Sequence, residues 1–335
     1  MTHVKLPRRK FLHLAAGAAA LPVLSRIAWA QTVPQSKTGT RLITLGTRAG
    51  PSPTVWRAQS SNALIVNGIP YIIDAGDGVT RRLTRAKIGF RDIDTIFITH
   101  PHSDHTSGLP ALFSVQYDSN RTKPVNVYGP PGTAETLKGI LPFLDVSAEV
   151  RMSDGTRTVM ASKIFSGHNK EPGVIFQDAN IKVTAVENTH FHFAPGSPGY
   201  GKYSSYALRF DTADRSIVFT GDTGPSEAIS TLAQGADLLV SEVTSVEEFK
   251  ARQIQIGRWQ TMTPAQQESS IRHMTEEHVS PEQVGEMAAR AGVKTVVLTH
   301  LPATADPKDE YARFGELVKK HFPGQVLIAK DLMEF

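Results

Sequence analysis

The sequence contains no cysteine. That excludes a disulfide framework, a thiolate metal site and a thiol nucleophile. It does not assign a compartment, because a secreted domain of this size folds without disulfides. An apolar stretch of membrane-spanning length is also missing. The run 14–24 is interrupted by Gly17 and Pro22 and falls short of the roughly 20 residues a span needs. Nor is there a lasting excess of positive charge. The formal net charge is +4, but residues 1–30 hold Lys5, Arg8, Arg9, Lys10 and Arg26 and no acid. Without those five, 31 basic residues face 32 acidic ones, and a net of −1 leaves no general electrostatic footprint for a polyanion. What is there is a globular composition, 40% apolar and 20% charged over 335 residues. That length suits one large domain or two modest ones.

The positive N-terminus has an order of its own. Pro7-Arg8-Arg9-Lys10-Phe11-Leu12 precedes the Ala-rich run, and Ala28-Trp29-Ala30 follows it as an A-x-A cleavage signature. This resembles a bacterial twin-arginine signal. The expected organisation is therefore a signal peptide over 1–30, a flexible lead-in over 31–39 and one domain over 40–335. Its export partner would be the twin-arginine machinery, and its location periplasmic or secreted.

Along the domain, apolar runs predict strands over 41–45, 62–66, 69–73, 95–99, 125–128, 181–186, 206–210, 216–220, 236–241, 294–299 and a final one over 326–330. Asn67-Gly68 between the second and third is a strong hairpin signal. Helices are expected over 79–87, 108–117 and 133–141. Another starts at Ser280, with Pro281 in its first turn and Gln283 closing a capping box, and stops at Gly292. Residues 145–178 show no clear period. Residues 247–277 read as an irregular or helical insertion.

Several of these strands end in a polar residue: Asp74, His100, Asp222, Glu242 and His300. Any one could be a turn residue. Together they define a rim, and a rim of strand ends makes a site. The densest point is Thr99-His100-Pro101-His102-Ser103-Asp104-His105, where three histidines and an aspartate fall within six residues. Imidazole and carboxylate suit zinc and similar metals. Seven residues could bind two divalent ions. His100, His102 and His190 would hold one, and Asp104, His105 and His300 the other, with Asp222 between them.

The run Ile73-Asp74-Ala75-Gly76-Asp77-Gly78, the His100-x-His102-x-Asp104-His105 motif, the Gly221-Asp222-Thr223 turn and Leu298-Thr299-His300 resemble the metallo-β-lactamase superfamily. Arg81-Arg82-Leu83, Tyr128-Gly129-Pro130-Pro131-Gly132, Ser241-Glu242-Val243-Thr244 and His278-Val279-Ser280 resemble its ribonuclease Z and arylsulfatase-like branch. The resemblance covers about residues 40–300. It implies an α/β fold, the αββα sandwich of two facing mixed sheets with outer helices. The strand–helix units alone also allow a doubly wound sheet. It implies two divalent ions, most readily Zn²⁺, and Asp74 as the group that orients a metal histidine. Asp104, His278 and Glu242 would be the catalytic residues, Glu242 orienting His278 for protonation of a leaving oxygen. His190 is preferred over His192 because it comes first after its strand. His192 would contact substrate or stand exposed. His168, His273 and His321 lie outside every motif and are expected on the surface.

Ribonuclease Z proper binds tRNA through a long Gly/Pro- and Lys-rich arm. Residues 145–178 and 191–203 show no strong basic cluster, although Pro195-Gly196-Ser197-Pro198-Gly199-Tyr200-Gly201 forms a loop that could cover the site. The expected function is hydrolysis of a small-molecule sulfate or phosphate ester, arylsulfatase-like or phosphodiesterase, by a metal-bridging hydroxide. Export and the near-neutral charge argue against a nucleic-acid partner, and a homodimer stays open. The alternatives are a ribonuclease Z-type RNA endonuclease, a lactonase or β-lactamase, and a non-catalytic metal-binding member.

Overall fold

A computed structural model describes residues 39–303 and 311–335. The expected signal peptide, and the lead-in up to residue 38, lie outside the described residues.

The chain opens with an antiparallel meander, β1 (Thr40–Gly46), β2 (Ser61–Val66) and β3 (Ile69–Ala75). Its hairpin turns on Asn67 and Gly68, at φ 51° and 84°. Both values are positive, as a type I′ turn requires, so Asn-Gly fixes this register. Next come α1 (Val79–Arg85), β4 (Thr95–Phe97), the single-turn α2 (Ser103–Thr106), α3 (Leu109–Asp118), β5 (Val125–Gly129), α4 (Thr133–Ser153), β6 (Phe165–Asn169) and β7 (Gly173–Gln177). The second half runs β8 (Lys182–Glu187), β9 (Tyr206–Asp211), β10 (Ser216–Phe219), α5 (Glu227–Leu232), β11 (Leu238–Ser241), α6 (Val246–Gln255), α7 (Pro264–Glu276), α8 (Pro281–Ala291), β12 (Thr295–Leu298), α9 (Ala312–Lys319), β13 (Gln325–Ile328) and β14 (Met333–Glu334).

These strands form two seven-stranded sheets, β14-β1-β2-β3-β4-β5-β6 and β13-β12-β11-β10-β9-β8-β7. Both mix parallel and antiparallel pairs. Three apolar clusters show how they stack. Leu42, Leu64, Tyr71, Ile73 and Phe97 of the first sheet share one cluster with Val183, Leu208, Phe210 and Phe219 of the second. Ile72, Ile96 and Val127 point the other way, toward α1, α3 and α4. Val218, Leu239, Val296 and Leu298 do the same toward α5, α8 and α9. Strands buried on both faces read as unbroken apolar runs rather than alternating ones. The layers are helix, sheet, sheet, helix, which is the αββα sandwich. The doubly wound alternative is excluded.

Strand direction explains the rim. β3, β4 and β5 are mutually parallel. So are β10, β11 and β12, and β8 joins them through antiparallel β9. Carboxyl ends of parallel strands lie on one edge, where α/β proteins carry their sites.

Two expectations need correction, the end of one helix and the identity of the last strand. The helix expected over 133–141 continues to Ser153, with Pro142 inside it. Pro142 lies on the exposed face, while Leu137, Leu144 and Ala148 keep a buried stripe through it. The proline therefore removes one backbone hydrogen bond on the solvent side without breaking the packing. Residues 145–178, which show no clear period in the sequence, finish α4 and supply β6 and β7, which close one edge of each sheet. The strand expected as the last is followed by β14, which crosses back to pair with β1. Among the described residues no helix is long and apolar enough to cross a membrane.

Candidate metal centre

The rim collects two groups of donors. In the first, His102 Nδ1 stands 3.1 Å from His100 Nε2 and 3.1 Å from His190 Nε2. In the second, His300 Nε2 lies 3.2 Å from Asp104 Oδ2 and 3.2 Å from Asp222 Oδ2, and His105 Nε2 lies 3.3 Å from Asp222 Oδ1. Asp222 Oδ2 also faces His100 Nε2 at 3.8 Å and His190 Nε2 at 4.0 Å, so one carboxylate reaches both groups. All seven expected ligands are brought together. His102 is the exposed member and the other six are buried.

The local chain sets these orientations. Asp74 accepts hydrogen bonds from Thr99 N (2.8 Å), from the Thr99 hydroxyl (2.9 Å) and from His105 Nδ1 (2.8 Å). The Thr99 oxygen then accepts from His100 Nδ1 at 3.1 Å, and the Glu277 carbonyl accepts from His190 Nδ1 at 2.9 Å. Each of these three histidines places its proton on Nδ1, assigned from its partner, and turns a lone pair at Nε2 inward. Asp74 and His300 adopt φ of 58° and 47°, a left-handed conformation rare outside glycine and characteristic of functional sites. Gly50 N donates to Asp104 Oδ2 at 2.8 Å. A Cβ at position 50 would lie 2.3 Å from Asp104 Cγ, so only glycine lets the backbone come this close.

These atoms fit metal ions. His105 Nε2 and Asp222 Oδ1 are both buried without a hydrogen-bond partner. His105 Nε2 faces Asp222 Oδ1 across 3.3 Å; burial disfavours a charge on His105, but Asp222, Asp74 and Asp104 outweigh it and hold its pKa well above the ordinary value, so this gap draws a positive charge, either a second proton or a metal ion. In the first group His102 Nδ1 can donate to one of its two neighbours, not both. The neutral imidazoles agree with this. Burial pushes the pKa of His190 down to about 3 and holds those of His100 and His102 below the ordinary value. Burial opposes the charge on Asp104 and Asp222 too, yet nearby His105 and His300 keep both carboxyls below the usual range.

Glu242 and His278 form the neighbouring dyad. His278 Nδ1 donates to Glu242 Oε2 at 2.7 Å, and Thr223 N donates to Glu242 Oε1 at 2.5 Å. Burial disfavours the His278 imidazolium, but the Glu242 carboxylate outweighs it and raises the pKa to about 9. His278 also falls within one donor cluster with His190 and Asp222. His192 is exposed, with Nδ1 3.9 Å from Glu276 Oε2, outside the donor groups. His321 is exposed as expected. His168 is half-buried, stacked on Tyr128. His273 lies at the surface as expected, its side chain 44% exposed on α7, with its ring 5.0 Å from that of His278. Phe191 was missed, though it directly follows a ligand; its ring lies 5.2 Å from that of His102.

Asp74→Asn tests this network, because Asn tolerates the left-handed backbone while removing the charge. We expect metal affinity about 10–100-fold lower, read by titration against a competing chelator, with the fold retained.

A four-layer sandwich with two joined groups of His and Asp donors at its strand ends defines a metal-binding hydrolase architecture. A model described as Beta-lactamase superfamily domain matches residues 71–301, and the chain belongs to the β-lactamase superfamily of metal-dependent hydrolases. Its curated relatives include a ribonuclease Z from Mycobacterium sp. (strain KMS), 29% identical over 292 residues, covering 87% of this chain and 94% of the relative. Among solved structures, the metallo-beta-lactamase fold protein YhfI from Bacillus subtilis aligns with a TM-score of 0.62 at 18% identity, over 88% of this chain and 98% of that one. Zn(2+)-bound PqqB from Methylobacterium extorquens aligns at 0.60 and 17%, over 88% and 99%.

Proposed function

We propose that the chain hydrolyses a phosphodiester, using two divalent ions held by the seven rim residues. The observation that carries this is Asp222 reaching both donor groups beside the Glu242–His278 dyad. His100, His102 and His190 would hold one ion, Asp104, His105 and His300 the other, and the imidazole–carboxylate set favours zinc. Such a pair, when bound, lowers the pKa of water to about 7 and stabilises charge on the attacking and leaving oxygens.

The protein's own residues do the rest. Asp74, Thr99 and the Glu277 carbonyl fix the imidazole rings. His278 donates its Nε2 proton to the departing oxygen as the phosphorus–oxygen bond breaks, and Glu242 stabilises the imidazolium before that transfer. This role does not need a protein nucleophile, in keeping with the absence of cysteine.

Relatives of similar length named ribonuclease Z support a phosphodiester over the sulfate ester that the arylsulfatase-like resemblance suggested. RNA remains the second reading on the same ground. Against it, residues 145–178 build sheet edges rather than an arm. Export through a twin-arginine signal over 1–30, with a periplasmic location, completes the proposal.

The test is a panel on metal-loaded mature protein: bis(p-nitrophenyl) phosphate, p-nitrophenyl phosphate, p-nitrophenyl sulfate, an aryl lactone, nitrocefin and pre-tRNA. The expected result is fastest turnover of the diester. Turnover confined to sulfate, lactone or nitrocefin overturns the proposal, and pre-tRNA cleavage as the fastest reaction selects the RNA reading.

A further inference from the structure

The end of α7 is locked onto the rim. The Glu277 carbonyl accepts from Nδ1 of His190 at 2.9 Å. The turn after Asp222 runs against the residue before it: a Cβ at Gly224 would lie 1.8 Å from the Glu276 carbonyl oxygen, so only glycine lets the two backbones come this close. His273, one turn earlier on α7, sets its ring at 86° to that of His278, 5.0 Å away, and 6.3 Å from that of His190.

His273 and Glu277 also line a pocket of 340 Å³, completed by Ser269, Ser270 and Arg272 of α7 and Phe249 of α6. That volume lies in the range of small-molecule sites. Glu277 Oε2 stands 2.8 Å from His273 Nδ1. Among the described residues, nothing pairs with the Arg272 guanidinium or with the Ser269 and Ser270 hydroxyls, and Glu277 Oε1 accepts no hydrogen bond. The lining thus offers donors and an acceptor together, beside one aromatic ring. A second anion would meet the Glu277 carboxylate, and a cationic group would meet the Arg272 guanidinium. Hydroxyls satisfy both, donating to the carboxylate and accepting from the guanidinium and the serines, while the apolar face of a sugar ring covers Phe249.

The phosphodiester reading sets which part of a substrate arrives here. Water attacks opposite the leaving oxygen, the bond from phosphorus to that oxygen breaks, and His278 supplies the oxygen with its proton. The leaving alcohol is therefore the part of the substrate nearest His278, and His273, packed on His278, leads from it into the pocket. Resting on that reading, we propose that the α6–α7 pocket is the subsite for the leaving alcohol, and that this alcohol is polyhydroxylated and of sugar-like size. Arg272, Ser269, Ser270 and Glu277 hold its hydroxyls, and Phe249 its ring face.

Two diesters test this on zinc-loaded protein: methyl glucose-6-yl phosphate, and methyl cyclohexylmethyl phosphate, which has equal reach and no hydroxyls. The glucose diester should show kcat/KM about tenfold higher, the gain of one or two net hydrogen bonds, and should yield glucose and methyl phosphate. Arg272→Ala should cut that preference to about two- to threefold, and a Ser269→Ala, Ser270→Ala double variant should also lower it. Calorimetry reads the same selectivity without turnover, using analogues of both diesters in which CH₂ replaces the leaving oxygen, and it decides alone where the alkyl diesters react too slowly to measure. A wild-type ratio near one, a ratio unmoved by both variants, or products of methanol and glucose 6-phosphate overturn the subsite. If neither diester nor bis(p-nitrophenyl) phosphate is turned over, while the hydroxylated analogue binds preferentially and Arg272→Ala removes that preference, the phosphodiester reading falls and the subsite stands.

Discussion

His278→Ala should lower kcat by about 10²–10⁴-fold, the range lost when a positioned general acid is removed. The same protein should keep its full metal content by elemental analysis. The two readouts separate the roles that its position allows. His278 sits in a donor cluster with His190 and Asp222, so a ligand role would show as metal loss. Its 2.7 Å hydrogen bond to Glu242 points instead to a proton donor held in one tautomer. His278 is a cleaner choice than Glu242. Glu242 also accepts from Thr223 N, next to Asp222, and its removal would disturb a ligand. A His278→Ala protein that loses metal, or that keeps its kcat, overturns the assignment.

The second large effect is thermal. The rim buries Asp74, Asp104, Asp222 and Glu242 close together. Divalent ions relieve that repulsion only in the folded state, so they shift the folding equilibrium. Zinc at about a thousand times its Kd should stabilise the fold by about 4 kcal/mol. For a domain of this size that is a Tm increase of about 8–16 °C, reversed by a chelator. Wild-type protein should then carry about two ions, and Asp222→Ala should abolish the increase, because Asp222 is the carboxylate within reach of both donor groups. A Tm that does not respond to zinc overturns the metal centre.

The site was more legible in the sequence than the surface around it, for physical reasons. Ile96, Phe97 and Ile98 form an unbroken apolar run because the β4 region is buried on both faces, so the polar cluster after it stands out. The same contrast marks Asp222 after Phe219 and His300 after Leu298. β6 and β7 carry no such signal: each is an edge strand, and Ser166, Gly173 and Val174 are exposed. α7 was hard to read because none of its residues is buried, leaving no stripe for a period to show. Pro142 hid the second half of α4, since a local breaker is read more easily than a stripe that continues past it. His273 is a surface residue, and only the tertiary fold brings its ring beside that of His278.

Sheet one supplies residues 100–105, and sheet two supplies His190, Asp222 and His300. Asp104 and His300, 196 residues apart in the chain, meet at 3.2 Å. An ion bound there would be a cross-link between the halves of a chain that has no cysteine. Like a disulfide, it closes a loop long enough to cost an unfolded chain several kcal/mol of entropy. Unlike a disulfide, it forms without an oxidant and comes apart with a chelator. Because the donor sets are complete only when both sheets have docked, loading would follow folding, and a loaded centre would certify a finished molecule.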